Sequence, residues 1–340
     1  MAQIKPISGV DDRVLLANEL PLDSPFTLNI FPTNACNFKC SYCAHSLNDE
    51  TIAMTYGLDK GFLSLETMSI IVEQSKAFTP YKLLSFMGHG EPLLCRNLPE
   101  MISLAAQAGI AQRIEIISNA SVLTHEYANE LIDAGLTNLR VSLQGLDADA
   151  YFKTSGVTLD FERFVEQLEY FYGSKRPGMG LFVKIMDVSL PSGGEEIFYK
   201  MFEGICDRMY IERVQPVYHT VAVPNDCSDS FTKYDRYGNS HPPRKICPLL
   251  FFSLAVWPNG DVQPCDAIYK PCLLGNVHNI SLREMWESGS LKHFQMKHLH
   301  GEKNNIKGCT YCCAPDDVSH PLDVLDGSEE EIIARMDKWQ

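Results

Sequence analysis

Short apolar runs alternate with longer amphipathic stretches along residues 26–217, and this alternation is the main structural signal in the chain. The apolar runs are nearly continuous, which is typical of strands buried on both faces of a parallel sheet. The intervening stretches repeat their apolar positions every three or four residues and therefore predict helices. Six runs predict strands: 26–31, 83–87, 113–117, 138–143, 181–186 and 209–214. Four intervening stretches predict helices: 65–78, 97–109, 124–135 and 160–172.

This order of elements predicts an α/β fold with a parallel sheet and right-handed crossovers. Thr124 is a suitable N-cap, and Gly109 and Gly135 lie where helices are expected to end. Only six β–α units are visible, so we predict an open, TIM-like partial (β/α)6 barrel rather than a complete one. Active sites in such folds form at the carboxyl ends of the strands.

After residue 218 the pattern changes. The stretch 219–246 is rich in Pro, Asn, Asp, Ser and Tyr, which predicts a linker. A hairpin is predicted around the turn 258–261, and Ser281 with Glu284 predicts a helix start with a capping box. The predicted organisation is an N-terminal extension (1–25), a barrel core (26–218), a linker (219–246), a small C-terminal domain (247–314) and an acidic tail (315–340) that ends in a surface helix.

Composition and charge exclude several classes of protein. With 45% hydrophobic and 21% charged residues, the 340-residue chain can bury a full core. It carries 29 basic and 43 acidic residues, a formal charge of −14, so we expect no nucleic-acid partner. No apolar run approaches the roughly 18 residues of a membrane span, and the polar start does not resemble a signal peptide. We therefore expect a cytoplasmic protein without a membrane partner.

Seven of the twelve cysteines fall into two spaced groups, a pattern more typical of metal binding than of disulfides in a large cytosolic protein. The first group, Cys36, Cys40 and Cys43, follows the first predicted strand with C-x3-C-x2-C spacing. Three thiolates on one loop can hold three irons of a [4Fe–4S] cluster and leave the fourth iron open for a small molecule. The alternative is a zinc site with His45 as fourth ligand.

The second group brings four thiols from distant segments of the chain. The predicted hairpin lies between Cys247 and Cys265, and Cys309 and Cys312 form a C-x2-C pair. Four thiolates suit either a tetrahedral zinc site or a second [4Fe–4S] cluster, and spacing alone does not separate the two. The remaining cysteines show no such order: Cys95, Cys206, Cys227, Cys272 and Cys313.

The first cysteine motif, at its place after strand one, resembles that of the radical S-adenosylmethionine (radical SAM) superfamily. Tyr42 occupies the aromatic position that lies near the adenine in that family. MGHGEP after the second strand resembles the family's Gly-Gly-Glu motif, with His89 where many members have Gly. Further strand ends resemble the polar positions near the ribose and the methionine carboxylate. The cofactor-binding residues implied are Tyr42, Gly88, Gly90, Glu91, Ser118, Asn119, Ser142 and Gln144.

This resemblance implies a [4Fe–4S] cluster that binds S-adenosylmethionine at its open iron. It also implies a 5′-deoxyadenosyl radical that abstracts hydrogen from a substrate C–H bond. The second cysteine group resembles the SPASM/twitch extensions of the same superfamily, in the shorter twitch form because no cysteine follows Cys313. An auxiliary [4Fe–4S] cluster is implied there, held by Cys247, Cys265, Cys309 and Cys312.

A single auxiliary cluster at this position occurs in radical SAM dehydrogenases that oxidise a secondary alcohol of an aminocyclitol, and in epimerases that invert a sugar carbinol centre. The resemblance therefore implies that one carbinol of a sugar or aminocyclitol is dehydrogenated or epimerised here. A flavodoxin or ferredoxin-type electron donor is implied with it. One alternative is a maturase that modifies ribosomal peptides or proteins, and another is a non-catalytic two-cluster electron carrier. The candidate catalytic residues are Cys272 as hydrogen-atom donor and His89 beside the cofactor. The candidates for the proton-accepting group are Glu212 and Arg213 in the last strand and Tyr218 and His219 just beyond its end.

Overall fold

The computed structural model describes residues 1–6, 13–223, 234–317 and 320–338, so Cys227 and part of the predicted linker lie outside the described residues. Ten described strands form one sheet in the order β1-β7-β6-β5-β4-β3-β2-β8-β9-β10. The strands are β1 (Gln3–Ile4), β2 (Thr27–Ile30), β3 (Leu83–Phe86), β4 (Ile114–Ser118), β5 (Asn138–Leu143), β6 (Gly180–Met186), β7 (Arg208–Glu212), β8 (Ser253–Val256), β9 (Asp261–Gln263) and β10 (Gly275–Asn276).

Helices connect the parallel strands and surround the C-terminal part of the sheet. Those between the parallel strands are α2 (Asp49–Tyr56), α3 (Leu65–Ser75), α4 (Leu98–Ala108), α5 (His125–Asp133), α6 (Ala148–Ser155), α7 (Phe161–Ser174) and α8 (Gly194–Phe202). The others are α1 (Leu16–Glu19), α9 (Leu249–Phe252), α10 (Leu282–Trp286), α11 (Gly289–Leu299), α12 (Ala314–Asp317) and α13 (Glu329–Met336). Short 3-10 turns complete several connections.

Strands β2 to β7 pair in parallel and in chain order, which confirms the predicted partial (β/α)6 barrel. Two further features of the sheet were not predicted. Strand β1, from the N-terminal extension, pairs in parallel with β7 at one edge. The predicted β8–β9 hairpin is present, but β8 pairs in parallel with β2, so the C-terminal region extends the barrel sheet.

Strand alternation separates an apolar outer face from a polar inner face of the barrel. Leu139, Val141 and Val183 point outward and belong to the main hydrophobic core with the surrounding helices. Arg140 and Lys184 alternate with them and therefore point inward. This alternation places charged groups inside the barrel, which is unusual for an interior and indicates a functional chamber.

Helix termini follow the local sequence signals. The Thr124 side chain accepts a hydrogen bond from the Tyr127 backbone N–H at 3.1 Å and caps α5. Gly109 ends α4 with φ +64°, the left-handed conformation that favours glycine. Ser281 and Glu284 form the predicted capping box of α10.

The C-terminal tail differs from the predicted surface helix. Ile332 and Met336 of α13 are buried, and Arg335 donates to the backbone carbonyl of Asn18 at 3.0 Å. The tail helix is therefore amphipathic, and one of its faces packs against the N-terminal extension. Among the described residues, no helix has both the length and the apolar character needed to cross a membrane.

Candidate functional site

The first thiol group lies on the loop that leaves β2 at the carboxyl edge of the sheet. Cys36, Cys40 and Cys43 are half-buried, and the backbone N–H of Cys43 donates to the Cys40 carbonyl at 2.9 Å. Burial raises the pKa of Cys36 to about 12, and the nearby Glu91 and Cys43 charges add to this. Burial, then the charges of the other two thiols, also raises the pKa of Cys40. Metal coordination is what deprotonates thiols in such surroundings, so the three residues fit the iron–sulfur cluster expected of this motif.

The glycine-rich loop after β3 packs directly against this cysteine loop. A Cβ carbon on Gly90 would lie 2.6 Å from the Ala35 carbonyl oxygen, so only glycine allows this approach. The next residue, Glu91, donates its backbone N–H to the same Ala35 carbonyl at 2.8 Å. Gly88 has φ +132°, and a Cβ there would collide with the Phe31 ring. The two loops are thus held in a fixed arrangement.

Glu91 is fully buried and joins the ends of strands β3 and β4. Its carboxylate accepts hydrogen bonds from the Ser118 hydroxyl at 2.6 Å, the Asn119 backbone N–H at 2.7 Å and the Leu93 backbone N–H at 2.9 Å. Burial raises the pKa of Glu91 to about 7, although the three hydrogen bonds act in the opposite direction. The structure brings Glu91, Ser118 and Asn119 together, with Glu91 holding the two strand ends.

Two more of the predicted cofactor positions also meet in the structure. The Tyr42 hydroxyl donates to the Gln144 side-chain carbonyl, which links the cysteine loop to the end of β5. The Gln144 side-chain amide donates to the Ser142 carbonyl at 3.2 Å. The Asn119 side-chain amide reaches the cysteine loop and donates to Asn37 at 3.0 Å. The predicted positions therefore converge at one edge of the barrel, next to Cys36, Cys40 and Cys43.

His89 connects the two thiol groups through hydrogen bonds. Its Nδ1 lies 3.2 Å from the Tyr218 hydroxyl, which in turn lies 3.8 Å from the Cys43 sulfur. Its Nε2 lies 2.9 Å from the carbonyl of Asp266, the residue after Cys265. Burial lowers the pKa of His89 to about 4, so the ring is neutral at physiological pH. His45 bonds through Nε2 to the His89 carbonyl at 2.5 Å, so only its Nδ1 is left for the zinc ligation considered as the alternative.

A charged network lines the inner face of the barrel. Lys184 on β6 donates to Glu212 on β7 at 2.6 Å, and Arg140 on β5 donates to Glu115 on β4 at 3.2 Å. Burial raises the pKa of Glu212, but the charges of Lys184 and Arg236 outweigh this and lower it to about 2. Glu212, one of the candidates for the proton-accepting group, is therefore a carboxylate at neutral pH and a weak proton acceptor. A small open pocket lies beside Arg140, Lys184 and Glu212.

Arg236 extends this network toward the second thiol group. Its guanidinium donates to both oxygens of Asp317, from Nε at 2.7 Å, and lies 3.7 Å from Glu212. Asp317 follows the second cysteine group, and its backbone N–H donates to the Cys313 carbonyl at 2.9 Å. The stretch 219–246, predicted as a linker, thus contributes a buried charge to the chamber. In the sequence, Glu115, Arg140 and Lys184 each lie inside an apolar predicted strand, and a charged residue at such a position could have marked them as part of the site. No comparable local pattern marks Arg236 or Asp317.

The second thiol group surrounds a small cavity at the end of the barrel sheet. Cys247, Cys265, Cys309 and Cys312 all line this cavity. Burial, together with the charge of Cys312, raises the pKa of Cys309 to about 12. The four thiols fit a cluster-binding site, because they converge from three separate segments on one cavity. In the described part of the chain, no three metal-binding side chains are arranged around a single ion position.

Other candidate residues lie away from the inner chamber or are engaged elsewhere. Cys272 is half-buried and packs with the apolar residues around the second thiol group, near Cys309. Arg213 alternates with Glu212, so it points away from the inner face, and its guanidinium lies over the Tyr234 ring. His219 stacks on Tyr311 at 4.7 Å.

The geometry defines a class of protein: a partial α/β barrel with one thiol group at its carboxyl edge, a second beside the same sheet, and a charged network on the inner face that Arg236 extends toward the second group. The radical SAM superfamily model matches residues 30–201, just over half of the chain, and the SPASM iron–sulfur cluster-binding domain model matches residues 247–313. The chain belongs to the radical SAM superfamily, with a SPASM domain C-terminal to the radical SAM domain. Its cofactors are those of these domains, an iron–sulfur cluster with S-adenosylmethionine and an auxiliary iron–sulfur cluster.

Individual relatives are more distant. The chain is 30% identical over 142 residues to a protein named probable GTP 3′,8-cyclase from Sulfolobus acidocaldarius, a match that covers 42% of this chain and 41% of that protein. The chain thus matches about four-tenths of the length of such curated relatives. The fold is similar to Streptococcus suis SuiB bound to S-adenosylmethionine (TM-score 0.62, 16% identity, 90% of this chain and 79% of that chain). It is also similar to BtrN in complex with AdoMet and 2-DOIA (TM-score 0.53, 17% identity, 84% of this chain and 92% of that chain).

Proposed function

We propose that this radical SAM enzyme abstracts hydrogen from a carbinol carbon of a sugar or aminocyclitol and so dehydrogenates or epimerises it. The observation that carries the proposal is the charge-balanced polar network on the inner face of the barrel, which Arg236 extends toward the second thiol group. Three cations, Arg140, Lys184 and Arg236, each lie within 4 Å of a carboxylate there. Ammonium and guanidinium groups donate to hydroxyl oxygens, and carboxylates accept from hydroxyl or amino groups. Such a surface suits a polyhydroxylated substrate of low net charge.

Unpaired polar atoms on the same face support this proposal. Among the contacts of the described residues, the Ser85 hydroxyl, the Arg140 Nε and the Gln263 side-chain carbonyl are buried without a hydrogen-bond partner. Ser85 lies beside Glu115 in the strand register, and Gln263 lies beside Ala255 of β8. Buried polar groups normally have partners, and substrate hydroxyls or ordered waters would supply them here.

Cofactor binding is assigned to the residues at the carboxyl edge. Cys36, Cys40 and Cys43 hold the first cluster, and Cys247, Cys265, Cys309 and Cys312 hold the auxiliary cluster. Once reduced by a flavodoxin or ferredoxin-type donor, a cluster held there would supply the electron for cleavage of S-adenosylmethionine, the source of the hydrogen-abstracting 5′-deoxyadenosyl radical. The loops around Gly88, Gly90 and Glu91, and the strand ends at Ser118, Asn119, Ser142 and Gln144 with Tyr42, shape the S-adenosylmethionine site and exclude water from it.

Two other substrate classes are suggested by the relatives. The sequence matches named GTP 3′,8-cyclase favour a nucleoside triphosphate, but the three chamber cations described above are already neutralised by carboxylates. A second SuiB structure, bound to its precursor peptide SuiA, shares this fold (TM-score 0.61, 18% identity) and suggests a peptide. GTP and peptides therefore belong in the substrate screen as alternatives.

The test begins with anaerobic reconstitution of the wild type and of the triple variant Cys36→Ala/Cys40→Ala/Cys43→Ala. Two [4Fe–4S] clusters give about eight irons per wild-type chain and about four in the triple variant. With dithionite, wild type alone should release 5′-deoxyadenosine, and this release should rise when the correct aminocyclitol or sugar is added. Acceleration by GTP or by a peptide, and not by any polyol, would contradict the proposed substrate class. Absence of 5′-deoxyadenosine from a protein with eight irons would contradict the proposed activity itself.

A further inference from the structure

His298 is a buried histidine that touches two of the four thiol residues at the second site. It lies in the last turn of α11 and is 1% exposed. The backbone N–H of Cys247 donates to its Nδ1 at 3.4 Å, and its Nε2 lies 3.6 Å from the Cys309 sulfur. Sequence reasoning did not select this residue, because no spacing links it to the cysteines.

The backbone contact fixes which nitrogen carries the proton. A backbone N–H can only donate, so Nδ1 must be an acceptor and carries no hydrogen. The ring proton is therefore on Nε2, which faces the Cys309 sulfur. Phe294, one turn earlier on the same helix, packs edge-on against the imidazole at 5.1 Å between ring centres and restricts its rotation.

We propose that His298 donates an N–H···S hydrogen bond to Cys309 at the auxiliary cluster and thereby raises the reduction potential of that cluster. A donor beside a ligating thiolate stabilises the additional negative charge of the reduced state, and hydrogen bonds to the sulfurs are a main determinant of cluster potentials. A higher potential makes the auxiliary cluster a better acceptor of the electron that leaves the substrate in a dehydrogenation. The inference rests on the proposed ligand set and extends the proposed function.

The test compares the full-length reconstituted wild type with His298→Leu and His298→Gln. Leucine removes the donor, whereas glutamine keeps a side-chain N–H donor of similar reach. In a redox titration followed by electron paramagnetic resonance, the first cluster is recognised because its signal changes when S-adenosylmethionine is added. We expect the potential of the other cluster to fall in His298→Leu and to recover at least partly in His298→Gln, with the first cluster unchanged. His293→Leu, an exposed histidine on the same helix, is the matched control and should leave both potentials unchanged.

Equal auxiliary-cluster potentials in wild type and His298→Leu would overturn the inference, as would an equal shift of both clusters. If His298→Leu fails to retain about eight irons, the hydrogen bond is tested instead by pulsed electron paramagnetic resonance on wild-type protein with ¹⁵N-labelled histidines. A nitrogen coupling at the auxiliary cluster supports the hydrogen bond, and its absence overturns it. A wild-type protein with about four irons and one zinc would instead show that the auxiliary cluster itself is absent, which separates failure of the proposed ligand set from failure of this inference.

Discussion

Gly90 and Ala35 lie so close that a Cβ carbon on residue 90 would be 2.6 Å from the Ala35 carbonyl oxygen. The same carbonyl accepts the backbone N–H of Glu91 at 2.8 Å, so a side chain at residue 90 would have to displace a backbone contact. This contact joins the glycine-rich loop after β3 to the loop that carries Cys36, Cys40 and Cys43. The lack of a side chain at Gly90 is therefore a structural requirement of the site.

Gly90→Ala should separate these two loops. Because the atoms that would be displaced belong to the backbone, we expect a loss of unfolding free energy at the upper end of the 1–3 kcal/mol range of overpacked sites, and a lower iron content after reconstitution. Chemical denaturation and iron analysis measure the two effects. Gly173→Ala is the control, since nothing lies within 4 Å of a Cβ there, and alanine in the helix α7 should be neutral or stabilising by up to about 1 kcal/mol. Equal stability of the two variants would show that the loops accommodate a side chain.

Cys312 and its neighbour Cys313 should differ sharply in their effect on the auxiliary cluster. Cys312 lines the cavity with the other three thiols, and Cys313 is not among the residues that line it. The pKa of Cys313 is raised by burial and then by the charge of Asp317, the partner of Arg236. Cys312→Ala should lower the iron content of the reconstituted protein toward about four per chain, and Cys313→Ala should leave about eight. Iron loss in Cys313→Ala with full retention in Cys312→Ala would reverse the ligand assignment.

Arg236→Met should be strongly destabilising. The variant leaves Asp317 without its guanidinium partner and removes one of the charges near Glu212, and breaking a buried ion pair at one partner costs about 3–5 kcal/mol. Denaturant unfolding measures this cost. Arg176→Met breaks an exposed pair with Asp133 and should change stability by less than about 1 kcal/mol. A small effect at Arg236 would indicate that water replaces the lost guanidinium.

Glu91 should make the protein less stable as the pH rises from about 4.5 to about 7. Burial raises the pKa of Glu91 to about 7, from 4.5 in the unfolded chain. In this range the folded state binds the proton that the unfolded state has released, so the Glu91 contribution to stability declines with pH and is constant above about pH 7. Glu91→Gln should flatten that part of the stability profile, although it also removes a hydrogen-bond acceptor. Unfolding midpoints between pH 5 and 8 test this, and an unchanged slope in the variant would rule out Glu91 as the titrating group.

The order of strands and helices could be predicted from the chain because each local pattern agrees with the fold. Leu139, Val141 and Val183 alternate with inward residues, Thr124 caps its helix, and Ser281 forms its capping box with Glu284. The first cysteine motif was equally local, because Cys36, Cys40 and Cys43 lie within eight residues of one loop. These features depend on periodicity, turns and short spacings, which a sequence expresses directly.

The contacts that complete the site depend on residues far apart in the chain, and only the tertiary structure determined them. Arg236 meets Asp317 across 81 residues, and His298 meets Cys247 across 51, with no local pattern to mark either pair. The parallel pairing of β8 with β2 likewise joins distant segments, and it makes the C-terminal hairpin an extension of the barrel sheet. Burial was also invisible in the sequence, as were the cations that lie beside Glu212. The charges of Lys184 and Arg236 outweigh the effect of burial and lower the pKa of Glu212 to about 2. The sequence by itself thus determined the family, the barrel and the thiol positions. Long-range packing decided the charged chamber and the environment of each ionisable group, because those depend on which segments exclude water together.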